Sequence, residues 1–285
     1  MKKLTKFSLI LAIVSLLVSG LYAGAVTKVW EKIYGGDIWD GAEAIIPTKD
    51  GRFIVAGYTM SFGNGIYDVY LMKIDENGNK IWQKTYGGSD DDIALAITST
   101  KDGGFIIVGY TESFGNGKSD VYLIKIDENG NKIWQKTYGG NKSEGAFAIT
   151  KTEDGGFIVA GETESFSVNG WDIYLIKIDK DGNKIWQKTY GGKDYEEASA
   201  ITKTKDGGFI VVGGTNSFGN GEMDVYLIKI DKDGTKVWER AYGGRSLDEA
   251  YAVTPTKDGG FIVGGYTESF GNGVSDAYLI KIYEK

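Results

Sequence analysis

Lys80-Ile81-Trp82-Gln83-Lys84-Thr85-Tyr86-Gly87-Gly88 returns unchanged as Lys132 to Gly140 and as Lys184 to Gly192. Looser copies run from Lys28 to Gly36 and from Lys236 to Gly244. The tryptophans of the five copies, Trp30, Trp82, Trp134, Trp186 and Trp238, fall 52 residues apart every time. A fixed period of this length marks a solenoid, a propeller or an array, and it replaces the two-domain expectation that 285 residues would otherwise raise.

Working outward from Trp82, one repeat holds four strand-like runs. Lys80 to Tyr86 alternates and ends at a double glycine. Ile93 to Thr98 follows, then the turn Lys101-Asp102-Gly103-Gly104. Phe105 to Tyr110 leads into the loop Ser113-Phe114-Gly115-Asn116-Gly117, and Asp120 to Ile126 closes at Asp127-Glu128-Asn129-Gly130. Short β-branched and aromatic runs between Asp-Gly and Asn-Gly turns read as antiparallel hairpins. Four such strands per repeat predict a propeller blade, so the expected fold is all-β: a five-bladed propeller of four-stranded antiparallel blades.

The chain opens with Lys2, Lys3 and Lys6, an apolar run from Phe7 to Tyr22, and the small residues Ala23-Gly24-Ala25. That order predicts a secretory signal peptide over residues 1–25, the alternative being an uncleaved anchor, and leaves residues 26–285 as one domain. Those residues make five repeats of 52. Residues 26–32 have the sequence of an outer strand with no blade before it, and the chain stops after Ile282, short of one. The pattern therefore predicts that the N-terminal strand completes the last blade and closes the ring, hiding sheet edges that would otherwise invite aggregation.

Composition narrows the chemistry. With no His and no Cys there is no imidazole acid or base, no Ser-His-Asp triad, no thiolate or imidazole metal site and no disulfide. The formal charge of −7 becomes −10 without the three N-terminal lysines. Such a surface repels phosphates and anionic headgroups, so neither nucleic acid nor, after signal cleavage, membrane insertion is expected.

The repeated pattern Ala-x-Ala-Ile, Asp-Gly-Gly-Phe-Ile-Val-x-Gly, Thr-x-Ser-Phe-Gly-Asn-Gly, Asp-x-Tyr-Leu-Ile-Lys-Ile-Asp, Trp-x-Lys and Tyr-Gly-Gly resembles the SBBP-type tandem β-propeller repeats of secreted bacterial and archaeal proteins. The resemblance spans residues 26–285 and implies the propeller fold together with a secreted, cell-surface or envelope location. The blade count is similar in architecture to that of tachylectin-type lectins.

Residues common to all five repeats are read as structural. Turn glycines supply positive φ, the tryptophans bury area between blades, and the Ala-x-Ala pairs suit a crowded inner strand. Thr59, Ser61, Asp68 and Lys73 with their copies suggest a hydrogen-bonded or ion-paired network. The turns Asp127-Glu128-Asn129-Gly130-Asn131 and Asp179-Lys180-Asp181-Gly182-Asn183 resemble half of a calcium loop but lack its closing Glu, and a glycine hairpin turn explains them.

Two sets of residues carry the functional reading. Asp40, Asp92, Glu144, Glu196 and Asp248 lie ten residues after the five tryptophans and are always acidic. They could ring one mouth of the channel and hold Ca²⁺, or each could cap its own turn through backbone N–H groups. The second set sits where the repeats differ, in the crossovers and in the loops before each strand-opening Asp. There Trp39, Tyr67, Trp171, Tyr195 and Met223 bring aromatic and soft apolar groups among carboxylates. These features predict a secreted or cell-surface, non-catalytic, monomeric binding module that recognises a glycan or an envelope protein through its variable loops, with no cofactor unless Ca²⁺ binds. The competing readings are a scaffold without a small ligand and a carboxylate-dependent glycoside-processing enzyme. Near-identical blades give near-identical carboxylate environments, which argues against the last.

Overall fold

The computed structural model describes residues 28–283. Residues up to Ile33 and residues from Tyr34 onward form two compact units. The predicted signal segment and its cleavage site lie outside the described residues. Among those described, no helix is long and apolar enough to cross a membrane.

All 19 strands lie in the second unit. The first sheet runs through Asp40–Pro47, Phe53–Thr59, Asp68–Ile74 and Lys80–Tyr86 (β1 to β4). Asp92–Ser99, Phe105–Thr111, Asp120–Ile126 and Lys132–Tyr138 (β5 to β8) form the second, and Glu144–Lys151, Phe157–Thr163, Asp172–Ile178 and Lys184–Tyr190 (β9 to β12) the third. Glu196–Lys203, Phe209–Thr215, Asp224–Ile230 and Lys236–Tyr242 (β13 to β16) make the fourth. The last sheet has only Asp248–Pro255, Phe261–Thr267 and Asp276–Ile282 (β17 to β19). Each sheet is an antiparallel meander in sequence order. The alternation and turn glycines read from the sequence thus place the strands to within a residue or two.

Apolar clusters join consecutive sheets. Between the first and second, Ile54, Ala56, Val69 and Leu71 meet Ala94, Ile107, Tyr122 and Ile124, with Trp82 packed against them. The same assembly recurs at the next three junctions. A bulge interrupts every β1–β2-type pairing between the two alanines of Ala-x-Ala. There the facing strand comes so close that a Cβ built on Gly109 would lie 1.8 Å from the Ile93 carbonyl oxygen. Only glycine fits such an approach, which accounts for the glycine in Phe-Ile-Val-x-Gly.

Closure is where the structure departs from the sequence pattern. Five four-stranded blades would need one more strand than the 19 among the described residues, and the sheets are not closed into a ring. Residues 28–36 form no strand, and among the described residues β19 pairs only with β18. The physical reason lies in the faces behind the edge. Ordering a strand costs on the order of 1–2 kcal/mol per residue, whereas each hydrogen bond returns about 1 kcal/mol net, so apolar cover must supply the difference. That cover is missing on the last sheet. Leu279 is 72% exposed, while its counterparts Leu71, Leu123, Leu175 and Leu227 are all at 0%.

Candidate functional site

The crossovers and the loops between second and third strands meet at one end of the sheets, where the backbone itself joins neighbouring blades. The N–H groups of Asp92, Glu144, Glu196 and Asp248 donate to the carbonyls of Tyr67, Ser119, Trp171 and Met223 at 2.7–2.9 Å. The two sets of candidate residues are therefore interlocked. Tyr67, Trp171 and Met223 stand at variable positions, yet their carbonyls latch one blade to the next.

The five acidic side chains each serve their own blade. Glu144 accepts from Gly140 N–H at 2.7 Å, from the Thr163 hydroxyl at 2.8 Å and from Ser165 N–H at 2.9 Å. Glu196 repeats this with Gly192, Thr215 and Ser217. Asp40, Asp92 and Asp248 accept from the matching glycine N–H and from the hydroxyls of Ser61, Ser113 and Ser269. These bonds explain why Thr-x-Ser and Tyr-Gly-Gly recur, since they supply the donors. Among the described residues, no three acidic side chains gather closely enough to hold a metal ion.

A second carboxylate approaches four of these, Asp92, Glu144, Glu196 and Asp248, from the preceding blade. A Cβ on Gly139 would fall 1.9 Å from Asp120 Oδ1 and 2.4 Å from Glu144 Oε2, and Gly87, Gly191 and Gly243 sit between equivalent pairs. Burial, reinforced by the charge of Glu196, pushes Asp172 up to about 6. Asp68, Asp120, Asp224 and Asp276 cap their own loops, as Asp68 does by accepting from Asn64 and Gly65 N–H at 2.8 and 2.9 Å. The lysines pair with the turn between the first two strands of their own blade: Lys125 reaches Asp102 at 2.7 Å, and Lys229 reaches Asp206 at 2.8 Å. In the Asp127 turn, the carboxylate accepts from Asn129 and Asn131 N–H at 2.9 and 2.7 Å, with Gly130 at φ +75°. This is a glycine hairpin turn satisfied from within.

The candidate ligand-face residues separate into two groups. Trp39 is 69% exposed, its neighbour Ile38 is exposed too, and Ile66 is exposed on the other loop at the same end of the first blade. Tyr67, Trp171, Tyr195 and Met223 are half-buried. Tyr67 packs edge-on against Tyr58 with ring centroids 5.4 Å apart, and Met223 covers the space over Gly214.

Tyr195 leads to a feature that the sequence reading missed. Its hydroxyl oxygen lies 2.8 Å from Glu162 Oε2 and 2.7 Å from Glu197 Oε2. A phenol has one proton, so both contacts are hydrogen bonds only when one carboxyl is itself protonated. Burial pushes Glu162 up to about 7, and the charge of Glu197 adds to it. Glu197 also hydrogen-bonds Glu249, and this contact together with burial raises Glu249 well above the usual carboxylate range. Tyr251 donates to Glu249 at 2.9 Å. A belt of carboxyl and phenol groups thus crosses three blades. Its signal was available: Glu162 stands where other repeats have Tyr58, Tyr110, Gly214 and Tyr266, and Glu197 and Glu249 stand where others have Gly41, Ile93 and Gly145.

Comparison with known proteins agrees with the repeat architecture. Residues 48–80 match a family model described as a β-propeller domain of unknown function, DUF5122. The regulatory protein FlaEY of Caulobacter vibrioides is 24% identical over 216 residues, which are 67% of this chain and 22% of that protein. Among solved structures, the WD40 domain of Pan2 from Neurospora crassa superposes with a TM-score of 0.52 at 13% identity, over 84% of this chain and 60% of that one. Sqt1 from Chaetomium thermophilum gives 0.47 at 15% identity, over 79% and 55%. A thermostable family-43 glycoside hydrolase gives 0.46 at 13% identity, over 85% and 88%. The chain thus spans less than two thirds of FlaEY, Pan2 and Sqt1. The repeats, the strand order and the β-propeller family match at residues 48–80 together support a tandem β-propeller repeat protein.

Proposed function

We propose that this chain is a non-catalytic protein-binding module of the secreted or envelope compartment, which offers the loop end of its blades to a partner. The observation that carries the reading is the exposure of Ile38, Trp39 and Ile66 together on one loop end, beside Asp37 and Asp40. Exposed apolar groups rimmed by charge on a rigid scaffold are typical of interaction sites, and the acidic rim favours a partner with a basic surface. The propeller likeness, including that to a WD40 domain, supports an interaction or scaffold role. The basic, apolar and small-residue order of residues 2–25 supports export. The non-catalytic reading is supported by the engagement of Asp92, Glu144, Glu196 and Asp248, buried carboxylates that serve the backbone of their own blades.

The test compares the wild-type chain, a Trp39→Ala/Ile66→Ser variant and a turn-end control, Lys101→Ala, in cross-linked pull-downs from the source's secreted and envelope fractions. A protein captured by wild type and control but lost from the loop variant is the expected result. Unchanged capture by all three defeats the reading. Trp39-dependent binding on a glycan array, without a protein partner, replaces it with the carbohydrate-binding alternative.

A further inference from the structure

The two ends of the blade series are unlike each other and complementary. At four junctions, one face built from Ile54- and Leu71-type residues packs against the opposite face of the next blade, built from Ala94-, Ile107- and Tyr122-type residues. The last blade repeats the first kind of face with Ile262 and Leu279, 38% and 72% exposed where all counterparts are at 0%. The first blade repeats the second kind with Ala42, Val55 and Tyr70; Val55 and Tyr70 are already buried beside Tyr34 and Phe62, so the uncovered part of this face is the stretch at Ala42 and Ile45. Ala42 is exposed although its four counterparts are at 0%, and Ile45 is 59% exposed against 8% for Ile97. Among the described residues the backbone latch also has two halves left over, the Ser275 carbonyl and the Asp40 N–H, at the positions of Met223 and Asp248.

We infer that the occupant of the uncovered face on the last blade is the first blade of a second copy of this chain, so that copies join head to tail. The argument is continuity: the chain builds this interface four times between its described blades, and the first and last of these carry complementary parts of a fifth. The contact is heterologous, using different surfaces on the two partners, and so generates a closed ring of chains when the rotation between copies permits and a filament when it does not. It replaces the single-chain state expected from the sequence.

The geometry of the internal joints supplies the test. Lys151 Nζ lies 2.7 Å from Ser99 Oγ across the joint between the second and third blades, and the same two positions at the open ends are Pro47 and Pro255, both exposed. The protein has no cysteine, so Pro47→Cys and Pro255→Cys each introduce a single thiol. Full-length variants are mixed and treated with a short bismaleimide, and light scattering follows native mass against concentration. A covalent pair of chains that forms in the mixture and is weaker in either variant alone, with mass rising as concentration rises, supports the joint. Leu279→Asp should then weaken association tenfold or more while circular dichroism stays unchanged, and Ile262→Asp should repeat the effect if the first variant folds poorly. The inference is overturned if the doubly substituted chain bridges within itself at single-chain mass, for the blades then meet in one molecule. It is equally overturned if mass stays that of one chain at every concentration and no covalent pair forms.

Discussion

The Tyr86 hydroxyl donates to the carbonyl of Gly130, in the turn of the following blade. Tyr138 does the same to Gly182, Tyr190 to Gly234, and Tyr34 to Gly78. Each contact spans 44 residues, and Trp82 lies over the same Gly130 turn. A joint is therefore made by the end of one outer strand gripping the hairpin of its neighbour, with burial pushing the Tyr86 phenol up to about 12.

Removing one grip should cost about 1 kcal/mol, the net worth of a hydrogen bond whose acceptor is then left without its donor. Tyr86→Phe and Tyr138→Phe should each lower the thermal midpoint by a few degrees. The double variant should show the sum, because the two joints share no partner. Calorimetry of the three proteins checks this, and a double variant no worse than either single would deny the joints their independence.

Lys229 and Asp206 should respond unequally to substitution. The lysine side chain is 1% exposed and its carboxylate partner 65%. Asp206→Ala leaves a buried ammonium with weaker compensation and should cost about 3 kcal/mol. Lys229→Met replaces the buried charge by an apolar chain of similar length and should be close to neutral. Urea titrations of both variants measure the asymmetry.

Stability should peak in mildly acidic solution. Lysine partners and threonine hydroxyls hold Asp102, Asp154 and Asp206 down at about 2. Such depressed groups stabilise the fold above their unfolded value of about 4, and that contribution is lost as pH falls towards 2. Asp172 and Glu162 are raised to about 6 and about 7. Their contribution is complete below about 4 and is lost as pH rises through those folded values. The thermal midpoint at pH 5 should therefore exceed that at pH 8.5. Glu162→Gln should narrow the gap, and a midpoint that climbs steadily from pH 5 to 8.5 would contradict the carboxyl belt.

Gly109→Ala should destabilise strongly even though it adds only a methyl group. The new Cβ meets the Ile93 carbonyl at 1.8 Å, and backbone cannot retreat as a side chain can. Overpacking costs of about 1–3 kcal/mol or more follow. Gly103→Ala is the contrast: nothing lies within 4 Å, and the penalty comes from φ +90° alone.

Much of this was legible from Trp82 outward. The period located the turns, and the runs Lys80 to Tyr86 and Asp120 to Ile126 coincide with β4 and β7. Closure was not legible, because pairing potential in residues 26–32 says nothing about whether Leu279 will be covered, and that depends on the angle between blades. In the candidate site, the recurrence of Asp40, Asp92, Glu144, Glu196 and Asp248 marked their place but left cation binding and turn capping as alternatives. The belt through Glu162, Glu197 and Glu249 stayed hidden because its members stand on different blades and meet only in three dimensions. Tyr195 reads from the sequence as a ligand-face aromatic among carboxylates, and the structure shows its hydroxyl engaged by two of them.

The grip of Tyr86 on Gly130 has a genetic corollary. Both halves of the joint recur in register, so duplicating or deleting one 52-residue unit by recombination between copies leaves the joints on either side of the event intact. Blade number can then change in one step while the coding sequence of each unit stays the same, and lineages carrying such a gene can differ in repeat count before they differ in repeat sequence.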